Sequence, residues 1–294
     1  MNWFISAAGV GLVLVALRDV FHTLWHPSGR GSLSALMLHG LWRLSRRVSR
    51  PGLTAVAGPT AMVAVILGWT SIVVAGWTLI YFAHMPEGFS FSPGLQPRQR
   101  ADLLDALYLS LVGVATLGFG DIVPTDAWLR IAAPLQALIG FALLTAAVSW
   151  VGQTYPALAR RRVLALHLAS LRTARETVSP VDTAFIAHLL ESLAVQVSQV
   201  SVDLNQHSQM YYFPDSDDSP SLAAMTSYAA DLAAEGRQSR RDDVRMSAAM
   251  LTHALESLAT VLGRQFLRIE GNPEHIFAAY AHDHGRLPIR ATNY

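Results

Sequence analysis

The chain opens on an almost unbroken apolar run, Trp3 to Leu17, which continues to Trp25 with Arg18, Asp19 and His22 as its ionisable interruptions. A run of this length predicts a first membrane helix within residues 1–27. It lacks a basic leader and a small-residue cleavage site, so it reads as a retained helix rather than a removed signal. Arg18 and Asp19 are candidates for a functional buried pair, but both lie near the end of the span, where Arg18 can snorkel to the headgroups and Trp25 suits the interface, and that reading is preferred. Residues 28–52 form an amphipathic linker. Leu33, Leu36, Leu41, Leu44 and Val48 share roughly one helical face, and Arg43, Arg46 and Arg47 follow, the pattern of a helix lying on a membrane. Residues 53–83 are long and apolar enough to cross, with Trp69 and Trp77 as packing contacts and Gly68 and Gly76 placed for close helix approach. Pro86, Pro93 and Pro97 break helical order between His84 and Arg100. A short helix over 101–115 follows, opened by Asp102 and Asp105, and a further span covers 128–155, where Pro134 and Pro156 mark a bend or an end. Residues 157–294 keep a helical period to the end. The pattern predicts an all-α membrane protein.

Between the short helix and the last span stands Thr116-Leu117-Gly118-Phe119-Gly120-Asp121. Gly118 and Gly120 can take left-handed dihedrals that other residues avoid, which lets successive carbonyls point the same way. Stacked carbonyls replace the water of a cation. The Thr116 hydroxyl adds oxygen at the inner end and Asp121 adds negative charge at the outer mouth. Irregular backbone between two membrane-length segments must be buried in protein or line water.

These six residues resemble the Thr-x-Gly-Tyr/Phe-Gly-Asp signature of potassium channels, and the likeness extends over about residues 60–156. The resemblance implies a two-helix pore domain over 53–156, with outer helix 53–83, re-entrant pore helix 101–115, filter 116–121 and inner helix 128–155. One extra transmembrane helix precedes it, and a cytoplasmic helical bundle, 157–294, follows. Potassium would be held by the carbonyls of Thr116, Leu117, Gly118 and Phe119. Gly140, 24 residues after Thr116, falls where the family carries its hinge glycine. Phe119 replaces the commoner tyrosine and Ala115 a common second threonine, so the filter lacks one hydroxyl brace. Phe141, Leu144, Val148 and Gly152 recur every three or four residues and are candidates for the cavity wall. One chain supplies one filter strand, and a closed ring of carbonyls needs four, so a homotetramer is expected.

Composition narrows the picture. Only 15% of residues are charged, against about 25% in soluble domains, and mean hydropathy is +0.32. A net charge of +1 argues against nucleic acid as a partner and leaves membrane lipid. The chain has no cysteine, which excludes disulfides and thiolate metal sites. Its 22 basic residues are all arginine. Residues 26–50 carry five arginines and no acid, and Arg160, Arg161 and Arg162 follow the last span. Both loops are therefore expected inside, giving a multi-pass protein of the plasma or inner membrane with its N-terminus outside and its C-terminus in the cytoplasm.

In the second half, Ser179-Pro180 starts a helix with an apolar stripe of Phe185, Ile186, Leu189, Leu193 and Val197. Leu251, Leu255, Leu258, Leu262, Phe266 and Ile269 make another. The segment Tyr211 to Ser219 combines three aromatics of exposed type with three carboxylates and reads as a solvated loop, with a divalent cation or unknown effector as the sharper candidate. His282 and His284 are too few for a metal site. No nucleophile, base and orienting group stand together, so the chain is not read as an enzyme, and no cofactor is expected beyond potassium as permeant ion. Two other readings fit the residues: a weakly selective cation channel, and a non-conducting membrane-anchored sensor acting through its cytoplasmic half.

Overall fold

A computed structural model of the chain describes residues 2–25, 31–47, 57–93, 102–177, 183–215 and 220–291. Ala101, Ser179-Pro180, residues 53–56 and residues 216–219 of the acidic segment lie outside the described residues. Two compact units divide the chain: Met1–Leu41 with Thr60–Gly152, and Trp42–Pro59 with Gln153–Tyr294.

The first unit is helical apart from one short ladder. Helix α1 spans Asn2–Leu24, α2 Ser32–Arg47 and α3 Ala57–Phe82. Pro59 falls in the first turn of α3, where its missing N–H costs nothing. Helix α4, Leu103–Val114, begins at Asp102, whose carboxylate accepts from the N–H groups of Leu104 and Asp105 at 2.9 and 3.0 Å. Strands β1, Phe89–Phe91, and β2, Ile122–Pro124, pair antiparallel, with Ser90 opposite Val123. The sequence pattern did not predict this ladder; three residues are too few for a period of two to show. Helix α5 then runs from Ala127 to Thr177.

Gly9 of α1 and Gly76 of α3 face one another so closely that a Cβ on either would fall within 2.6 Å of the other's carbonyl oxygen. A Cβ on Gly68 would instead meet the end of the Met37 side chain of α2, 2.7 Å from its Cε. Small residues thus set the spacing of α1 and α3, where apolar side chains alone give no directional preference in lipid.

The span expected to end at Tyr155 does not. Helix α5 passes Pro134 and Pro156 and continues for about six further turns, to Thr177. Within the second unit its extension buries Ala157, Leu158, Leu164, Ala165 and Leu168, and that burial outweighs the single backbone bond a proline removes.

The second unit adds α6, Thr183–Gln206, a 3₁₀ turn Ser208–Tyr212, α7, Leu222–Arg237, α8, Asp242–Leu262, a π turn Gly263–Leu267, and α9, Pro273–Asp283. Asp242 and Asp243 stand in the first turn of α8, favourable against its dipole. Asn272 caps α9 through a bond from the His275 N–H, and Pro273 takes the first helical position. The principal packing is α6 along α8. Leu190, Leu193, Val197, Val200 and Leu204 face Leu251, Leu255, Leu258 and Leu262 in the buried set. Phe185, expected in the α6 stripe, is 56% exposed, because the inward face is set by Leu190 and Leu193 instead.

Two expectations for this unit change. Tyr211, Tyr212 and Phe213 are buried, not exposed. Tyr211 stacks on Phe266 with centroids 4.2 Å apart, and His284 packs edge-on against Tyr211 and Tyr280. Asp215 is no free acid either: it pairs with Arg161, whose side chain is 1% exposed and which also donates to the carbonyls of Met210 and Phe213. A planar guanidinium with five donors can satisfy three acceptors at once, and that geometry pulls the aromatic segment inward. Among the described residues there is no group of three or more His, Cys, Asp or Glu placed to hold a metal ion.

Candidate functional site

The segment 115–121 emerges from the C-terminal end of α4 and is anchored there by backbone. The N–H of Thr116 donates to Gly113 O at 3.1 Å and that of Leu117 to Val112 O at 3.0 Å. Beyond this point the dihedrals alternate. Thr116, Gly118 and Gly120 have φ of 57°, 58° and 77°, while Leu117 and Phe119 stay outside the positive region. Gly118 and Gly120 have open space where a Cβ would stand, so the left-handed backbone, not crowding, accounts for the glycines. Thr116 takes the same conformation at a steric cost. Residues 115–120 are exposed on the single chain.

The far end is held twice. Asp121 O accepts from Ser92 N–H at 2.9 Å, next to the β1–β2 ladder, and the Asp121 carboxylate accepts from the Tyr108 hydroxyl at 2.7 Å. Tyr108 lies on α4, so one short helix fixes both ends of the segment.

Behind α4 sits a fully buried polar knot. Gln136 of α5 donates to Ser110 O at 2.9 Å and accepts from the Tyr81 hydroxyl of α3, while Ser110 donates to Val74 O. Each buried group is paired, which makes the knot specific for one registry of α3, α4 and α5. Gly113 allows it: a Cβ there would lie 2.6 Å from the Gln136 amide oxygen.

Gly140 also sits against α4. A Cβ at this position would meet Val114 O at 2.2 Å. The close approach of α5 to the last carbonyl of α4 therefore requires glycine, whatever motion the helix makes. Farther along α5, Phe141, Leu144 and Val148 are exposed and Gly152 faces open space, whereas Leu143, Ala146, Ala147 and Trp150 are buried.

Asp19, set down from the sequence as an end-of-span residue beside Arg18, is the centre of a buried constellation with other partners. This carboxylate is 3% exposed and accepts from the N–H groups of Leu33 and Ser34 at 2.8 and 3.0 Å and from the Trp69 indole at 2.8 Å. It caps α2 from a different helix. Trp69 in turn packs on Trp150 of α5, with ring centroids 5.3 Å apart. An acid that close to an N-terminus is stabilised by the dipole and by three donors. The sequence signal for it was an aspartate inside an apolar run, which is rare without a partner.

A family model described as Ion channel matches residues 67–155. That stretch holds most of α3, all of α4, the alternating segment and α5 up to Tyr155. A membrane protein of Bacillus subtilis (strain 168) described as uncharacterized, YdjJ, is 26% identical over 174 residues, 58% of this chain and 50% of that protein. The chain thus spans about half the length of the curated relative it matches. No solved structure matches. The family match indicates an ion channel. Four helices among the described residues are long and apolar enough to cross a membrane: Trp3–Leu24, Gly58–Phe82, Ala127–Thr177 and Phe185–Gln206. The chain is a helical membrane protein, and the apolarity of the fourth helix is used against α8.

Proposed function

We propose that this protein is a passive potassium-selective channel assembled as a homotetramer in the cell membrane. The observation that carries the reading is the alternation of left-handed φ at Thr116, Gly118 and Gly120. Alternating dihedrals turn successive peptide planes to one side, so the carbonyls of Thr116, Leu117, Gly118 and Phe119 can take the place of a hydration shell. Four copies close the ring around a symmetry axis. Helix α4 aims its negative end at the segment, which favours a cation there, and the Asp121 carboxylate adds charge at the entrance. Ions pass down their gradient because adjacent sites hold them weakly enough for one to displace the next.

The exposed stripe Phe141, Leu144, Val148 and Gly152 supports a wall facing water or another subunit, and Gly140 remains the proposed pivot for opening. The N-terminus is outside and the C-terminus cytoplasmic in this reading, following the arginine-rich loops. Phe119, which has no hydroxyl, favours weaker discrimination as the second reading.

Flux from liposomes tests both. Liposomes containing the purified protein are loaded with potassium and diluted into sodium, and the gradients are then reversed. Potassium-selective flux is expected. Equal fluxes of the two ions would replace the reading with the weakly selective one, and silence even with an inner-helix variant held open would remove ion passage altogether.

A further inference from the structure

The second unit contains a cavity of about 780 Å³ that no part of the channel reading uses. Its walls are the last turns of α5, the outer face of α7 and the C-terminal tail, which is strapped on by bonds from Ile289 N–H to Ala224 O and from Ala291 N–H to Asp231 Oδ2, both 2.8 Å. The volume lies within the range of small-molecule sites.

Tyr228 of α7 lines this cavity. It is 3% exposed, and its hydroxyl, buried within hydrogen-bonding reach of the Arg175 guanidinium, has no acceptor for its own proton. A buried donor without an acceptor is costly and calls for a ligand. Arg175 and Arg172 both act on the phenol electrostatically, Arg175 the more strongly, while burial holds its pKa above the usual tyrosine value. The three donor groups therefore converge.

Their other commitments are light. Arg172 contacts the Glu176 carboxylate at 3.3 Å, one turn away on the same helix. Arg175 grips Glu235 with Nη2 alone, at 2.7 and 2.9 Å, which leaves the rest of its fork for a second acceptor. These pairs are 40–60% exposed and contribute little to stability, so a ligand can share or exchange them. The same lining carries Glu235, which holds Arg175, Asp231, which pairs with Arg290 at 3.1 Å, and Gln238.

The lining holds three arginines and three carboxylates. A doubly charged anion would find as much repulsion as attraction. A molecule that carries charges of both signs meets a complementary group for each.

We propose that the cavity binds a zwitterionic small molecule of the amino-acid or short-peptide class. Its carboxylate lies on Arg172, Arg175 and the Tyr228 hydroxyl, and its ammonium lies toward Glu235 and Asp231. Arg172 and Arg175 belong to α5, so occupancy fixes the last turns of that helix to α7. The inference goes beyond ion passage and does not depend on it.

The test uses full-length protein in detergent, with no flux measured, so its outcome is separate from that of the channel reading. Thermal unfolding and calorimetry are recorded with the twenty amino acids and glycylglycine, against sodium chloride of equal ionic strength. Acetate and methylammonium serve as half-ligands. At least one zwitterion is expected to bind saturably and raise the melting temperature more than either half-ligand. Tyr228→Phe, which keeps the ring, weakens that binding by about tenfold, and Arg172→Gln by at least as much. The proposal is overturned if no member of the set shifts the protein beyond the chloride control, if acetate alone matches the zwitterion, or if the shift survives in both variants.

Discussion

The Tyr108 hydroxyl donates to the Asp121 carboxylate across 2.7 Å, joining the middle of α4 to the outer end of the alternating segment. Phe119 carries no hydroxyl of its own, so this bond is the side-chain tie between that segment and its supporting helix among the hydrogen bonds described. Hydrogen bonds to charged groups contribute about 1.5–3 kcal/mol, and each 1.4 kcal/mol is about a tenfold change in an equilibrium. Tyr108→Phe is therefore expected to lower the conducting fraction about tenfold in potassium-loaded liposomes. Asp121→Asn should have a similar effect, and the double variant no more than either alone. Additive losses would show that the two side chains act separately.

The segment and its neighbours were legible because they are local. The glycines, the acidic start of α4 and the apolar spans each show in a few consecutive residues. What escaped reading depends on residues far apart. Asp19 looked like an interfacial accident because its partners, Leu33, Ser34 and Trp69, lie 14 to 50 positions away. Tyr211 to Phe213 looked solvated because nothing nearby reveals that Arg161, about 50 residues earlier, buries its guanidinium among their carbonyls. Pro156 looked like an end because helix propensity cannot report the core that the following turns enter.

Gly140→Ala serves poorly as a test of hinge motion. The added methyl would stand 2.2 Å from Val114 O, a backbone atom that cannot rotate away. Overpacking of this kind costs about 1–3 kcal/mol. The variant should therefore melt several degrees lower in detergent, before any question of gating arises. An unchanged melting temperature would mean that α5 accommodates the methyl by moving away from α4, and that this contact does not require glycine.

Asp19 makes a graded prediction. Asp19→Asn keeps an oxygen acceptor for the first turn of α2, whereas Asp19→Ala leaves Leu33 N–H, Ser34 N–H and the Trp69 indole without it. Loss of a helix cap alone costs about 0.5–2 kcal/mol, and the buried indole adds to that. Stability should fall in the order wild type, Asn, Ala. Amide exchange at Leu33 and Ser34 should accelerate in the same order, and equal exchange in all three proteins would show that α2 does not depend on this carboxylate.

His207, which precedes the 3₁₀ turn of the second unit, is held below the usual histidine pKa mainly by burial, with Arg160 adding to the effect and Asp203 opposing it. Its folded state thus prefers the neutral ring, while the unfolded chain takes up a proton near 6.5. Between those two values the unfolded state binds more protons, so stability rises with pH. The contribution is complete above the unfolded value and is lost as pH falls from there through the folded one. Denaturant midpoints of the full chain are expected to drop below pH 6.5. His207→Gln, which removes the titration but keeps a polar side chain of similar reach, should flatten that drop. If the slope is the same in both proteins, the acid sensitivity belongs to other groups and the burial of His207 is not what sets it.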